Sequence, residues 1–131
     1  MTRRIMRMSS HLISLVIGAF LFFAGAHFLP SAHAADNFVF GFEDLPLMDG
    51  LTQVAQDSVL FDTPQGRIVQ ATAVGPIDKD SVLTFYRTTL PQLGWIMAGD
   101  AEFQREGEIL KLEFSERDSQ LEVRFLIEPR S

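Results

Sequence analysis

The residues able to do chemistry in this chain are unevenly placed. All three histidines, His11, His27 and His33, lie in the first 34 residues, and there is no cysteine anywhere. Ser-His-Asp and Cys-His catalysis need those side chains as base or nucleophile, so both are excluded from Ala35 to Ser131. Zinc sites of His and Cys are excluded there too, as are haem and iron–sulfur ligation by their usual residues. What survives is carboxylate chemistry: an acid/base pair of the glycosidase kind, or an oxygen-ligand site for calcium or magnesium. Asp78, Asp80 and Asp100 come nearest to a metal set, but their spacing matches no EF-hand loop. Helix capping explains Asp78 and Asp80 better. The 17 acids are spread like a solvated surface, which singles out no catalytic pair. The chain therefore reads as a non-enzymatic protein with no cofactor and no metal. A carboxylate-based hydrolase stands as an alternative.

The N-terminus says where such a protein works. Arg3, Arg4 and Arg7 precede an apolar run from Leu12 to Leu29, Pro30 follows, and Ala32-His33-Ala34 closes the segment. A basic head, an apolar middle and a small-x-small site are the three parts of a secretory signal, with the cut expected between Ala34 and Ala35. Thr2-Arg3-Arg4 matches a twin-arginine signal only loosely, since Met6 and Arg7 stand where large apolar residues belong. The other reading is a retained inner-membrane anchor, because the run is 18 residues long, at the short limit for a span. In either case the arginines stay inside and the domain faces the periplasm.

Losing residues 1–34 removes three of 11 basic groups and none of 17 acidic ones, leaving a net charge of −9 over 97 residues. That charge disfavours nucleic acid and anionic lipid as partners. An unidentified envelope protein is the expected partner, with membrane contact only through an uncleaved N-terminal segment. Without Cys there is no lipoprotein anchor and no disulfide, so core burial alone must hold the fold.

The elements follow from local signals. Residues 35–57 read as an irregular segment and 58–131 as a compact domain. Ser58–Asp62 reads as a strand, Thr63-Pro64-Gln65-Gly66 as a β-turn, and Arg67–Gly75 as the partner strand of a hairpin. Asp78 sits where an N-cap belongs. Val82, Phe85, Tyr86, Leu90 and Leu93 then recur at helical spacing, predicting a helix from about Lys79 to Leu93 that Gly94 stops. Trp95–Ala98 reads as a strand that Glu102–Arg105 continues after a turn, with Glu108–Ser115 and Gln120–Glu128 closing the chain. The expected architecture is α+β, in the order ββαβββ: an antiparallel sheet with one helix on one face, preceded by the signal-peptide helix. The opposite face, carrying Gln70, Thr72, Lys111, Glu113, Glu122 and Arg124, is expected to be wet.

Charge selects a register for the last hairpin. Placing Phe114 opposite Leu121 would set Glu113 against Glu122 and Lys111 against Arg124. Placing Phe114 opposite Val123 sets Glu113 against Arg124, with Asp118-Ser119 as the turn. Cross-strand pairs of this kind differ by roughly 0.2–1 kcal/mol, which favours the second register.

Phe85-Tyr86-Arg87, Leu90-Pro91 and Leu93-Gly94-Trp95, with Phe103–Gly107 and the closing Leu121–Pro129, resemble small exported proteobacterial domains of unknown function. These carry the pattern FYR-x-x-LP-x-LGW followed by a hairpin. The likeness covers about residues 44–129 and implies a compact α+β envelope domain. Its motif consists of packing residues and brings no catalytic set. The candidate binding residues are Leu45, Leu47 and Met48, in an apolar loop ending at Leu51, and Trp95 beside the helix. Each has a core role as its plainer explanation. The open edges of a small sheet are the remaining candidates, as acceptors of a partner strand.

Overall fold

The computed structural model describes residues 37–131; the N-terminal run, with the Ala34–Ala35 junction, lies outside them. The strands are β1 (Thr52–Gln53), β2 (Val59–Thr63), β3 (Gly66–Gly75), β4 (Ile96–Gly99), β5 (Glu102–Arg105), β6 (Glu108–Arg117) and β7 (Gln120–Pro129). Among the described residues there is one α-helix, α1 (Lys79–Gln92), which separates β3 from β4, and a 3₁₀ turn covers Ala55–Asp57. The sheet order is β1-β3-β7-β6-β5-β4, and β2 shares with β1 the same side of β3. Its pairings are antiparallel. The class is thus α+β, with a seven-stranded sheet rather than the five strands of ββαβββ. The difference arises at two places. Thr52–Gln53 adds a short strand beside Ala73 and Val74. Glu102–Arg105 does not continue Ile96–Gly99 but folds back on it, turning at Asp100 and Ala101.

Local chemistry sets the helix limits. Asp78 accepts from the Ser81 backbone N–H at 2.8 Å and from the Ser81 hydroxyl at 2.7 Å, which caps the first turn. At the other end Gly94, at φ +87°, lets its own N–H reach the Pro91 carbonyl and that of Trp95 reach Leu90. This pair of bonds is a Schellman stop, with Pro91 in the last turn supplying one of its acceptor carbonyls. Val82, Leu83, Tyr86 and Leu90 are buried against the sheet, while Phe85 and Leu93 are only partly covered.

The last hairpin takes the register that charge favours: Phe114 lies opposite Val123 and Glu113 opposite Arg124. Asp118 and Ser119 form its turn, at φ 49° and 63°. Two such left-handed residues match the twist of the flanking strands. Val69, Ala71, Ala73, Leu110, Leu112, Val123, Phe125 and Ile127 face the helix and fill the core.

Residues 37–57 belong to this body too. Val39, Phe42, Leu45 and Leu51 are buried in the same core, so the packed unit does not begin at Ser58. The Val39 N–H donates to Leu45 O, and that of Leu47 to Asn37 O, folding the segment into a cover. A small sheet with one helix leaves part of its inner face open, and this segment closes it.

The opposite face is wet only in part. Gln70, Lys111, Glu113 and Arg124 retain solvent contact, but Thr72 and Glu122 are buried. The cause is the 3₁₀ turn, which is fastened over that face. Arg117 reaches both Asp57, at 2.6 Å, and Glu122; Gln70 donates to the Asp57 carbonyl; the Val54 N–H donates to Thr72 O. Among the described residues no helix is long and apolar enough to cross a membrane.

Candidate functional site

The apolar loop and Trp95 are placed first by their surroundings. Leu45, Leu51 and Trp95 are buried, and Leu47 and Met48 pack partly covered against the core. Tyr86 holds the loop from beneath. Its hydroxyl donates to Pro46 O at 3.1 Å and accepts from the Met48 N–H at 3.2 Å. Burial pushes the Tyr86 phenol well above its ordinary value, with the Met48 bond opposing. Arg105 lies over the Trp95 ring, 4.5 Å from its centroid. Leu45 and Trp95 are therefore parts of the packed core, while Leu47 and Met48 keep partial solvent contact.

A polar cleft of about 410 Å³ lies beside them, lined by Glu43, Asp44, Arg67, Arg105, Glu106 and Glu108. It gathers four carboxylates around two arginines. Glu108 is bound by Arg67 at 2.7 Å and Asp44 by Arg105 at 2.7 Å. Both carboxylates are thus engaged in ion pairs. Each arginine also holds the cover segment or the helix end: Arg67 donates to Gly41 O and Arg105 to Leu93 O. The cleft is thus a set of fastenings between the cover and the sheet. Among the described residues no group of three or more acids is placed to hold a metal ion.

The sheet edges present a different surface. The large exposed apolar side chains are Phe38, Phe40, Val59, Leu60, Phe61, Ile68, Ile96 and Met97. Ile96 and Met97 belong to β4, one end of the sheet. Val59, Leu60 and Phe61 belong to β2, whose far side carries no strand among the described residues, and Ile68 is the partner of Phe61 in β3. Phe38 and Phe40 are tied instead to β1 through Gln53, which donates to Phe38 O and accepts from the Phe40 N–H. Phe61 is 61% exposed, so its ring is free for a partner. Sequence reasoning named sheet edges but read Val59-Leu60-Phe61 only as strand. The available signal was three consecutive apolar residues, which put apolar groups on both faces of a strand that has neighbours on one side only.

No protein-family model matches the chain, and no curated protein or solved structure matches it either.

Proposed function

We propose that this protein is a small exported domain of the bacterial envelope that acts by binding another protein chain, not by catalysis. The observation that carries this is the set of exposed apolar side chains at open strand edges, four of them, Val59, Leu60, Phe61 and Ile68, together on β2 and its partner strand. Open edges offer unpaired backbone groups, and apolar residues beside them add side-chain contact to a joining strand. The lack of His and Cys after residue 34 and the arginine-bound carboxylates of the cleft support a non-enzymatic role. Export rests on the N-terminal segment, with a periplasmic or secreted product if Ala34–Ala35 is cut and an anchored one if it is kept. The FYR-x-x-LP-x-LGW resemblance is consistent with this setting.

An affinity pull-down tests the reading. Full-length chain with a C-terminal tag is captured from envelope extract, and its intact mass is read in the same run. The expected result is loss of residues 1–34 and a stoichiometric companion chain that disappears with Leu60→Asp. An uncleaved bait in the membrane fraction with no companion would overturn it in favour of an anchored structural protein.

A further inference from the structure

We infer that the occupant of the β2 edge is the β2 strand of a second copy of this chain, paired antiparallel about a two-fold axis at Leu60, so that one sheet runs through both copies. The inference rests on the binding reading above and names its partner. Among the described residues nothing pairs with the far side of β2.

The main chain has the right phase. Thr63 and Gly66 close the two-residue loop, so Thr63–Gly66, Phe61–Ile68 and Val59–Gln70 are the pairs that exchange hydrogen bonds with β3. The N–H and C=O groups of Leu60 and Asp62 alternate with these and point to the open side. A two-fold axis at Leu60 pairs Leu60 with its own copy and Asp62 with Ser58. The Ser58 N–H is already donated to Ala55 O, so this arrangement yields about four new backbone bonds per dimer.

The side chains choose that axis over its neighbour. With Leu60 central, Phe61 lies across from Val59 of the copy on both sides of the axis, an aromatic–β-branched pairing that sheets favour. Leu60 meets Leu60, and the strand's one charged group, Asp62, faces an uncharged serine. With Phe61 central, Asp62 would instead be set against Leu60 and lose water without a partner.

Net charge opposes association of two copies, but it opposes it little at this strand. The exported part carries net −9, so two copies repel over most of their surface. Val59–Thr63 holds one acid in five residues, and Asp57 next to it is neutralised by Arg117. The β4 edge is a poorer choice, since a register shift between Met97 and Gly99 breaks its regular row of backbone groups.

Sedimentation velocity of the full chain, expressed with its own N-terminal segment, reads the dimer directly. An edge contact of this size should give a Kd of the order of 10 µM. Leu60→Asp puts two carboxylates face to face at the axis and should weaken the dimer at least about tenfold. Leu60 is 46% exposed, so the circular dichroism should stay as it was, while Tm falls only as far as loss of the dimer requires. The chain has no cysteine, so engineered ones report cleanly. Chains carrying Val59→Cys and Phe61→Cys, mixed under oxidation, should form the mixed disulfide in preference to either symmetric one.

A chain that stays monomeric to about 200 µM overturns the inference. So does a dimer that tolerates Leu60→Asp and dissociates with Met97→Asp, or one in which Phe61→Cys links mainly to itself. A monomeric chain whose captured companion is a different protein, lost with Leu60→Asp, also overturns it while leaving the edge-binding reading intact. Failure of both dimer and capture removes both.

Discussion

Arg105 shows how much one side chain does in this protein. It pairs with Asp44, donates to Leu93 O at 2.8 Å and covers the Trp95 ring. It therefore ties the cover segment, the helix end and the sheet together. Arg105→Ala should destabilise the fold by about 2 kcal/mol, since hydrogen bonds to charged groups and a desolvated cation–π contact are lost together. The emission of the single tryptophan should shift to the red in the folded variant. Arg105→Lys should recover little, because an ammonium cannot reproduce the planar fork. The single tyrosine offers a second test. The Tyr86 hydroxyl is raised above 10 by burial in the folded state and titrates near 10 when unfolded. Above that pH the unfolded chain binds fewer protons than the folded one, so stability falls as pH rises. Tyr86→Phe should lower Tm at pH 7, through loss of the Pro46 and Met48 bonds, and flatten the decline above pH 10. Absorbance of the phenolate at high pH, followed with circular dichroism, should appear together with unfolding.

At the scale of elements, the helix is the most self-contained part. Asp78, Gly94 and the spacing of Val82, Tyr86 and Leu90 act within a few residues, which is why its limits are legible before any packing is known. Two hydrogen bonds from Ser81 lower the Asp78 carboxyl below its ordinary value, the side-chain bond being the larger cause. The carboxylate form stabilises the fold above the unfolded carboxylate range, and that contribution is lost as pH falls through the folded value. Asp78→Ala should lower Tm at pH 7, and the two proteins should converge in acid. The hairpin of β6 and β7 was also legible, because facing charges distinguish two registers that the apolar pattern leaves equal. The β4–β5 reversal was not. Gly99-Asp100 announces a turn, but only the pairing of Ile96 with Gln104 and Met97 with Phe103 shows that the chain folds back.

For the whole molecule, the deciding question is what closes the inner face of the sheet. Val39, Phe42, Leu45 and Leu51 do so from a segment without regular structure. Burial of large apolar side chains is worth about 1.5–3 kcal/mol each, against a total stability of only about 5–15 kcal/mol. A chain beginning at Ser58 should therefore show no cooperative thermal transition and no near-ultraviolet signal from Trp95. A chain beginning at Ala35 should show both. Cooperative unfolding of the shorter chain would mean that the cover is dispensable.

Residue types and short spacings determined several things alone. The absence of His and Cys excludes whole classes of chemistry whatever the fold, because a missing functional group cannot be supplied by geometry. Caps, turns and alternation set the helix, most strand limits and the final register, since those depend on neighbours in sequence or directly across a hairpin. Tertiary structure decided the rest. Thr72 and Glu122 are buried because a distant 3₁₀ turn is pinned over them by Arg117. Leu45 and Trp95 are covered because the loop, Tyr86 and Arg105 converge there. Val59, Leu60 and Phe61 are exposed because their strand falls at the end of the sheet, and strand order is set by pairings between segments far apart in the chain, which no local pattern encodes.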